Sequence, residues 1–456
     1  MMDTRNIGKK RFSVIGAARS GIAAAFLLKS KGARVFVSDS QPPENLVARI
    51  EELRAAGIDY EVGIHSDRVF DADFLVISPG VRSDAPVVTR AREKAIPVLS
   101  ELELASWFCP APIIAVTGSN GKTTTTTLLG RMFADAKRAH VVGGNIGLAF
   151  SSLVADVDKD AVAVLEVSSF QLDHNESFHP KISVILNITP DHLDRYGGSF
   201  ENYSASKCRV FENQTPDDYC VYCEDDEETR RQVNDRARSR VRLVPFGTGE
   251  QSGDGAFTEA GTLITVLSGR RTPVIPADEI SIKGVHNLYN AMAATLAAQI
   301  MGVEAPSIRA TLRNFKGVEH RLEFVRELKG VRYINDSKAT NVASVYYALQ
   351  AYREPVVLLL GGRDKGNDYA ALAGAVKARV KAIVAIGESS GKVVTSFRSL
   401  VKVVTAGSMD AAVRAARELA SAGDIVLLSP ACASFDWFEN YEHRGRDFKR
   451  AVNGLI

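Results

Sequence analysis

The sequence predicts an α/β protein with three domains. Strand and helix patterns alternate along the chain, and this alternation restarts after Pro110 and again near Phe315. The length of 456 residues points the same way, because it exceeds the size of one ordinary hydrophobic core. We therefore expect domains over residues 1–101, 102–316 and 317–456.

The first domain shows the alternation most clearly. Short apolar runs at residues 11–15, 34–38 and 74–78 predict strands, and an Ala- and Leu-rich run at 22–30 predicts a helix. A β-α-β succession of this kind is typical of a parallel sheet wrapped by helices.

The second and third domains repeat the pattern with different turns. A polar, Gly-containing stretch at 247–271 predicts turns and hairpins, and an Ala-rich run at 290–301 predicts a helix. The predicted strands cover residues 113–116, 161–167 and 182–186 in the second domain, and 331–334, 355–360, 382–386 and 424–428 in the third.

Composition excludes several classes of protein. A hydrophobic share of 45% and a charged share of 24% are those of a soluble globular chain, and the net charge of +2 gives no reason to expect nucleic acid as a partner. No apolar run reaches the length of a bilayer span, and the basic start has no apolar run after it. We expect a cytoplasmic protein with no membrane insertion.

The five cysteines are scattered along the chain. Cys220 and Cys223 form a lone CxxC with no second pair and no nearby His ligand. Reduced, partly buried thiols explain this pattern better than a zinc or redox site does.

The strongest local motif is the run TGSNGKTT at residues 117–124. It follows a predicted strand and precedes a helix-like run, where backbone N–H groups and the helix dipole surround phosphate. Lys122 would reach the β- and γ-phosphates, and Thr123 would bind Mg²⁺. The spacing is the shorter GxxGKT form, since Val116 stands where the longer form has its first Gly. A plain Gly-rich turn is the alternative, and the preceding strand and the Lys-Thr pair favour the phosphate loop.

The turn at residues 16–21 carries a weaker signal. It matches GxGxxG except that Ala18 replaces the middle glycine, and Asp39 ends the next strand, where a ribose hydroxyl is often held. Dinucleotide binding and a simple tight turn both explain this loop.

Polar side chains follow the strands of the second and third domains. Glu166, Asn187 and His192 stand at or after strand ends, where ligands of open α/β sheets gather. Glu suits Mg²⁺, whereas His192 by itself also fits a core or capping role. In the third domain Asp336 and Lys338 can hold nucleotide or substrate oxygens, with a polar loop as the alternative.

Taken together, these motifs resemble the Mur ligases. The resemblance rests on the phosphate loop followed in order by the runs GGNIG (143–147), LEVSSFQL (165–172), TPDHLDRY (189–196), GVHNLYN (284–290) and EHR (319–321). The runs NDSKATN (335–341), LSPACAS (428–434) and FDWF (435–438) are similar to the branch that adds D-glutamate.

The resemblance implies a Rossmann-like N-terminal domain for UDP, a central P-loop ATPase-like domain, and a C-terminal Rossmann-like domain that binds the amino acid and closes over the site. The implied reaction joins D-glutamate to UDP-N-acetylmuramoyl-L-alanine in peptidoglycan synthesis. ATP first phosphorylates the carboxylate to an acyl phosphate, and two Mg²⁺ sites are expected. Another Mur ligase or a folylpolyglutamate synthase-like enzyme is the alternative, and we expect a monomer.

The resemblance also implies roles for single residues. Lys122, Glu166, His192 and Lys207 are expected to be catalytic, and Lys207 to be carbamylated, so that Thr123, Glu166, His192 and Lys207 bind Mg²⁺. The expected ATP contacts are Gly118, Ser119, Asn120, Gly121, Lys122, Thr123, Thr124, Asn287, Arg321, Asp336 and Lys338. The expected substrate contacts are Ser20, Asp39 and Ser40 for UDP, Asn145 near the substrate carboxyl, and Thr340, Lys365, Ser434 and Tyr441 for D-glutamate. The register of Asp364 and Lys365 against the family stays open by one residue.

Two further hypotheses belong to other classes. A non-catalytic sensor of UDP-sugars or nucleotides would not need Lys122, Glu166, His192 and Lys207, which this sequence has. An NAD-dependent oxidoreductase would depend on the turn at residues 16–21 alone.

Overall fold

The computed structural model describes residues 4–237, 240–250, 253–364 and 366–456. It divides into two compact units, Met1–Phe315 and Lys316–Ile456. Over the described ranges the first unit contains two sheets and the second unit contains one. The α/β prediction is therefore confirmed, whereas the proposed bounds of the three domains stay predictions.

The first sheet is entirely parallel in its described strands, in the order β3-β2-β1-β4-β5. Its elements are β1 (Arg11–Ile15), α1 (Arg19–Ser30), β2 (Arg34–Asp39), α2 (Val47–Ala55), β3 (Asp59–Val62), β4 (Phe74–Ile77), α3 (Pro86–Glu93), β5 (Val98–Ser100) and α4 (Glu101–Ser106). The strand order reverses between β1 and β4, which is where such sheets bind ligands.

Helix α1 begins at Arg19, whereas the sequence predicted a start at residue 22. The predicted turn therefore overlaps the first turn of the helix. A Cβ on Gly21 would lie 1.8 Å from the carbonyl oxygen of Gly16. Only glycine allows the helix to start this close to the preceding strand.

The second sheet is parallel from β7 to β12 and antiparallel from β12 to β14 across the described strands, in the order β14-β13-β12-β11-β10-β9-β6-β8-β7. Its strands are β6 (Ile113–Thr117), β7 (His140–Gly144), β8 (Val162–Glu166), β9 (Ile182–Ile185), β10 (Tyr219–Cys223), β11 (Arg242–Phe246), β12 (Gly255–Glu259), β13 (Thr262–Leu267) and β14 (Arg270–Pro276). The helices are α5 (Lys122–Asp135), α6 (Phe150–Leu153), α7 (Ser169–Leu172), α8 (Phe200–Cys208), α9 (Glu227–Ala237), α10 (Val285–Ile300) and α11 (Ala305–Asn314).

Two expectations for this region are settled by the structure. The polar stretch forms the hairpin β12–β13, apart from residues 251 and 252, which lie outside the described residues. Helix α10 begins at Val285 rather than at residue 290, since its first turn is polar and only its later Ala-rich part is buried. The strands β6, β8 and β9 are buried throughout, so their side chains form the core and their carboxyl ends meet at one edge.

The second unit has one sheet whose described strands follow the order β15-β16-β20-β17-β18-β19, with only the edge strand β15 antiparallel. Its elements are β15 (Glu323–Leu328), β16 (Val331–Asn335), α12 (Val342–Gln350), β17 (Val356–Gly361), α13 (Ala373–Arg379), β18 (Val380–Ile386), α14 (Ser390–Phe397), β19 (Lys402–Thr405), α15 (Met409–Leu419), β20 (Ile425–Leu428) and α16 (Tyr441–Asn453). In neither unit does a described helix have the length and apolar character needed to cross a bilayer.

Candidate active site

The predicted phosphate loop connects β6 to α5. Gly118 and Gly121 adopt φ values of +146° and +86°, which side chains with a Cβ rarely adopt. A Cβ on Gly121 would also lie 2.3 Å from Oδ1 of Asn290. The helix begins at Lys122, directly after this turn, so its N-terminal end faces the loop as phosphate binding requires.

Asn187 holds the phosphate loop from the neighbouring strand end. Its Nδ2 donates to the carbonyl oxygen of Asn120 at 3.0 Å, and its Oδ1 accepts from the N–H of Asn120 at 2.8 Å. The N–H of Ser119 donates to the backbone oxygen of Asn187 at 2.9 Å. Sequence reasoning placed Asn187 at a strand end but gave it no role. The signal was available, because an Asn directly after a buried strand faces the same sheet edge as the loop.

The hydroxyl of Ser119 is bound within the protein. It accepts from the N–H of Thr189 at 2.9 Å, donates to the carbonyl oxygen of Thr189 at 2.8 Å, and lies 2.9 Å from the Tyr203 hydroxyl. Ser119 and Asn120 therefore fix the shape of the loop through these bonds. Their assignment as ATP contacts stays a prediction.

Glu166 connects the phosphate loop to the next strand. Its side chain is 2% exposed, and β8 places it between the ends of β6 and β7. Oε2 accepts from the Thr123 hydroxyl at 2.7 Å, and Oε1 accepts from Nδ2 of Asn145 at 3.0 Å. Thr123 and Glu166, two predicted Mg²⁺ ligands, therefore lie next to each other. Both offer oxygen atoms, the ligand type that Mg²⁺ prefers.

Two lysines converge on the same backbone carbonyl. Nζ of Lys122 donates to the oxygens of Gly118 and Ser119 at 2.7 and 3.0 Å, and Nζ of Lys207 donates to Gly118 O at 2.9 Å. Lys207 is 2% exposed, and its Nζ lies 4.6 Å from the centre of the Tyr203 ring. Burial, reinforced by the nearby Lys122 charge, lowers the pKa of Lys207 well below its ordinary value. The site therefore favours an uncharged Lys207 amine.

His192 stands at the rim of the same group. Its backbone adopts a φ of 51°, and its backbone N–H donates to Oδ1 of Asp191 at 2.9 Å. Its Nε2 lies 3.7 Å from Oδ2 of Asp191, and its side chain is half exposed. Partial burial lowers the pKa of His192, with Lys122 and Lys207 acting in the same direction and Asp191 opposing them. A neutral imidazole of this kind is able to bind a metal, and its neighbour Asp191 was given no role by the prediction.

Helix α10 brings Asn287 to the phosphate loop. Asn290 donates to Oδ1 of Asn287 at 3.1 Å, and its own Oδ1 accepts from the Thr125 hydroxyl at 3.2 Å. The first turns of α10 and α5 are thereby linked. Asn287, predicted from the resemblance alone, lies beside the loop.

A cavity of about 1000 Å³ lies at the carboxyl ends of the first sheet, and Gly144, Asn145, Gly147 and Ala149 also line it. The four predicted substrate contacts in this unit all line it, namely Ser20, Asp39, Ser40 and Asn145. Asn145 thus faces the cavity and also donates to Glu166. Asn145 therefore connects the cavity to Glu166, which also accepts from the Thr123 hydroxyl.

Asp39 shapes the cavity wall. Its Oδ2 accepts from the N–H of Ala17 at 2.6 Å, and its Oδ1 accepts from the N–H of Gln41 at 2.8 Å. The carboxylate therefore joins the turn after β1 to the end of β2. Lining residues that the sequence analysis did not single out include Arg19, His65, Arg82 and Arg90.

The loop after β4 contacts the segment that carries His192. Arg82 donates to Oδ2 and to the backbone oxygen of Asp194 at 3.1 and 2.9 Å. Arg195 donates in return to the backbone oxygen of Pro79 at 3.0 Å. These bonds connect the loop after β4, which lines the cavity, to the segment that carries His192.

The second unit gathers its predicted residues at the carboxyl ends of β16 and β20. The N–H of Asp336 donates to Leu428 O at 2.8 Å, and Oδ2 of Asp336 accepts from the Ser429 hydroxyl at 2.8 Å. Burial raises the pKa of Asp336 to about 6, although the Arg321 charge opposes this. Among the described residues Nε of Arg321 is buried without a hydrogen-bond partner.

A buried arginine connects the two motifs that resemble the D-glutamate branch. Arg444 is 1% exposed, and it donates to the hydroxyl and backbone oxygens of Ser337 at 2.9 and 2.8 Å and to Cys432 O at 3.0 Å. The Ser337 hydroxyl donates to Tyr441 O at 2.8 Å, and Nζ of Lys338 lies 5.4 Å from the Tyr441 ring centre.

These contacts bring the segment after β16, the segment after β20 and the start of α16 together. The first segment carries Asp336, Lys338 and Thr340, the second carries Ser434, and Tyr441 begins the helix. Their roles stay predictions, and Lys365 lies outside the described residues.

Three family descriptions match the chain in succession. They are "Mur ligase MurD-like, N-terminal domain" over residues 10–100, "Mur ligase middle domain" over 116–298, and "Mur ligase, glutamate ligase domain" over 320–432. The phosphate loop, Glu166 and Lys207 fall in the second match, and Asp336 falls in the third.

Curated relatives match over the full length. A UDP-N-acetylmuramoylalanine--D-glutamate ligase of Chloroherpeton thalassium is 49% identical over 469 residues, with 100% of both chains covered. The protein of the same name from Salinibacter ruber is 45% identical with 100% of both chains covered, and that from Pelotomaculum thermopropionicum is 45% identical with 99% covered.

Solved structures confirm the fold at lower identity. A pseudomurein peptide ligase type C from Methanothermus fervidus has a TM-score of 0.60 and 20% identity, covering 98% of this chain and 100% of that chain. MurF from Acinetobacter baumannii has a TM-score of 0.61 and 17% identity, covering 98% of each chain.

Proposed function

The chain belongs to the Mur ligase family, and we propose that it joins D-glutamate to UDP-N-acetylmuramoyl-L-alanine at the expense of ATP, as a step of peptidoglycan precursor synthesis. The observation that carries this proposal is that Asn145 and Thr123 both donate to Glu166, which connects the cavity to the Gly-Lys-Thr run. A carboxylate that ATP must phosphorylate has to lie where a nucleotide-sugar site and a phosphate site meet.

The first step transfers a phosphoryl group. A carboxylate oxygen of the L-alanyl group attacks the γ-phosphorus of ATP, the bond to the β-phosphate oxygen breaks, and ADP leaves. Negative charge gathers on the transferred group, so Lys122 and the N-terminal end of α5 stabilise it. Thr123 and Glu166 would hold Mg²⁺, which supplies Lewis-acid stabilisation of the same charge when bound.

The second step forms the amide bond. The uncharged amine of D-glutamate attacks the acyl phosphate carbonyl, the C–O bond to phosphate breaks, and the nitrogen loses a proton. The products are the amide, inorganic phosphate and ADP. The Lys122 cation and the N-terminal end of α5 also favour this step, because the tetrahedral oxygen and the leaving phosphate are both negative.

The burial of Lys207 supports the expected carbamylation. The uncharged amine is the form that adds CO₂, giving an N-carboxylate and releasing one proton. This reaction replaces a potential cation with an anion beside Glu166 and His192. Such an anion could serve a second Mg²⁺ together with His192.

The test is release of ADP and phosphate from the full chain with ATP and Mg²⁺. We expect release only when UDP-N-acetylmuramoyl-L-alanine and D-glutamate are both present. Stimulation by L-lysine or diaminopimelate in place of D-glutamate would assign another amino acid. Release without any amino acid would contradict the ligase proposal. Light scattering during size-exclusion chromatography tests the expected monomer.

A further inference from the structure

His65 lies on the wall of the cavity shortly after β3. It shares this wall with Asp39, Ser40 and Gln41. Its Nδ1 lies 2.7 Å from the hydroxyl oxygen of Ser38, the residue before Asp39. This histidine belongs to none of the motifs that identify the family resemblance.

The bonds of Ser38 assign the proton on His65. The Ser38 hydroxyl has one hydrogen, and Oε1 of Glu61 lies 2.8 Å from its oxygen, whereas Ile64 O is 3.4 Å away. A carboxylate is the stronger acceptor, so the Ser38 hydrogen points to Glu61. Ser38 therefore accepts from Nδ1–H of His65, and the neutral ring carries its lone pair on Nε2.

Glu61 is itself fixed in place. Its Oε1 accepts from the N–H of Ser66 at 2.9 Å, and its Oε2 accepts from the Ser66 hydroxyl at 2.5 Å. Burial lowers the pKa of His65, although the charges of Asp39 and Glu61 oppose this. The ring is therefore neutral near pH 7, and in the described structure Nε2 has no hydrogen-bond partner within the protein.

We propose that Nε2 of His65 accepts a hydrogen bond from the uridine of the substrate and contributes to recognition of that nucleoside. This inference rests on the proposed function, because it takes the cavity to be the UDP site. Uridine offers hydrogen-bond donors in two places, the uracil N3–H and the ribose hydroxyls. The phosphates offer none at neutral pH, so the contact is made to the nucleoside.

The experiment measures calorimetric binding of UDP, 3-methyl-UDP, 2′-deoxy-UDP and 3′-deoxy-UDP to the full chain at pH 8. The variant His65→Asn keeps an N–H near the position of Nδ1 for Ser38 and removes the Nε2 acceptor. His65→Gln restores an acceptor near the position of Nε2. Ile64→Ala is the matched control, because this neighbouring side chain is 62% exposed.

We expect His65→Asn to bind UDP about tenfold more weakly, the usual effect of losing one hydrogen bond. One of the three analogues lacks the donor that His65 recognises. The wild type should bind this analogue about tenfold more weakly than UDP, whereas His65→Asn should bind this analogue and UDP equally well. The identity of that analogue names the donor. His65→Gln should recover most of the affinity, and Ile64→Ala should not change it.

Two outcomes overturn the proposal. One outcome is that His65→Asn binds UDP as tightly as the wild type does. The other is that the affinity of each analogue relative to UDP is the same in His65→Asn as in the wild type. Failure of the proposed function is separate from both. It would appear as wild-type protein that binds ATP but not UDP, or that binds UDP but fails to use D-glutamate.

Discussion

The first unit contains two strand–turn–helix segments that are alike in backbone and different in what holds them. One runs from β1 through Gly16 to α1, and the other runs from β6 through Gly121 to α5. Both use a glycine at positive φ, +94° at Gly16 and +86° at Gly121. Each turn is held by a side chain from the end of an adjacent strand, Asp39 in the first and Asn187 in the second.

The difference lies in the charge of these two side chains. Asp39 accepts two N–H groups with a carboxylate, whereas Asn187 donates to and accepts from one residue with a neutral amide. A carboxylate beside a triphosphate would repel it strongly at short range. The turn assigned to uridine is held by the negatively charged Asp39. The turn assigned to ATP is held by Asn187, which has a similar shape and no charge.

The largest expected effect comes from Lys122→Met. This change keeps the length of the side chain but removes the cation that contacts the phosphate loop. We expect ADP release to fall about 10³-fold, because a preorganised charge at the transferring phosphate is lost. UDP binding, measured by calorimetry, should not change. A loss of UDP binding in this variant would show that the two turns are not independent.

Exchanging the charge at the phosphate loop gives the next largest effect. Asn187→Asp keeps an acceptor for Asn120 N–H, loses the donor to Asn120 O, and adds a negative charge. We expect ATP to bind roughly 100-fold more weakly to Asn187→Asp and roughly tenfold more weakly to Asn187→Ala. Binding of ATP to both variants is measured by calorimetry.

The order of these two variants is decisive. If a negative charge is what this position must avoid, Asn187→Asp must bind ATP more weakly than Asn187→Ala, although Asp is closer to Asn in shape. Equal losses would mean that Asn187 acts through hydrogen bonding alone. An Asp variant that binds ATP better than the Ala variant would refute the charge argument.

The reciprocal exchange is Asp39→Asn in the first turn. One of the N–H groups of Ala17 and Gln41 then faces an amide N–H₂ instead of an oxygen. We expect UDP to bind about tenfold more weakly, because one hydrogen bond to a charged acceptor is lost and one buried donor is left unpaired. ATP binding serves as the control and should stay within about twofold. Improved UDP binding would show that the carboxylate opposes the ligand.

Sequence reasoning predicted these two turns with different success. Regular strand–helix alternation and the Gly-Lys-Thr run were sufficient for the parallel sheets and the phosphate loop. Glu166 was singled out because it ends a strand that is buried, and Thr123 because it follows Lys122; their metal-binding roles stay predictions. The start of α1 was placed too late, since the close approach of Gly21 to Gly16 is a contact in space.

The residues that hold the site in shape were harder to find. Asn187 and Arg444 act on backbone groups and side chains that the folded sheet brings to them. Arg444 lies over 100 positions from Ser337, the residue with which its guanidinium makes two bonds. No local pattern marks a buried arginine of this kind. His65 was missed for a similar reason, because its role depends on Ser38 and Glu61 of neighbouring strands.

The smallest expected effect is a pH dependence of binding in the cavity beside the first turn. Protonation of His65 converts Nε2 from an acceptor to a donor, so the neutral ring is the binding form. Burial lowers the pKa of His65 below its ordinary value of 6.5, with Asp39 and Glu61 as the opposing charges that face it. Although partial burial opposes it, hydrogen bonds from Ser66 and Ser38 keep the pKa of Glu61 low, so this carboxylate stays charged.

Affinity for the uridine end should therefore be constant from pH 8 to pH 6.5 and fall several-fold as the pH approaches 5. The probe is UDP-N-acetylglucosamine, since its phosphates carry no group that titrates in this range. His65→Gln does not titrate at this position and should give a flat profile. A decline of equal size in wild type and His65→Gln would assign the pH dependence to another group, and it would contradict a neutral acceptor at Nε2 of His65.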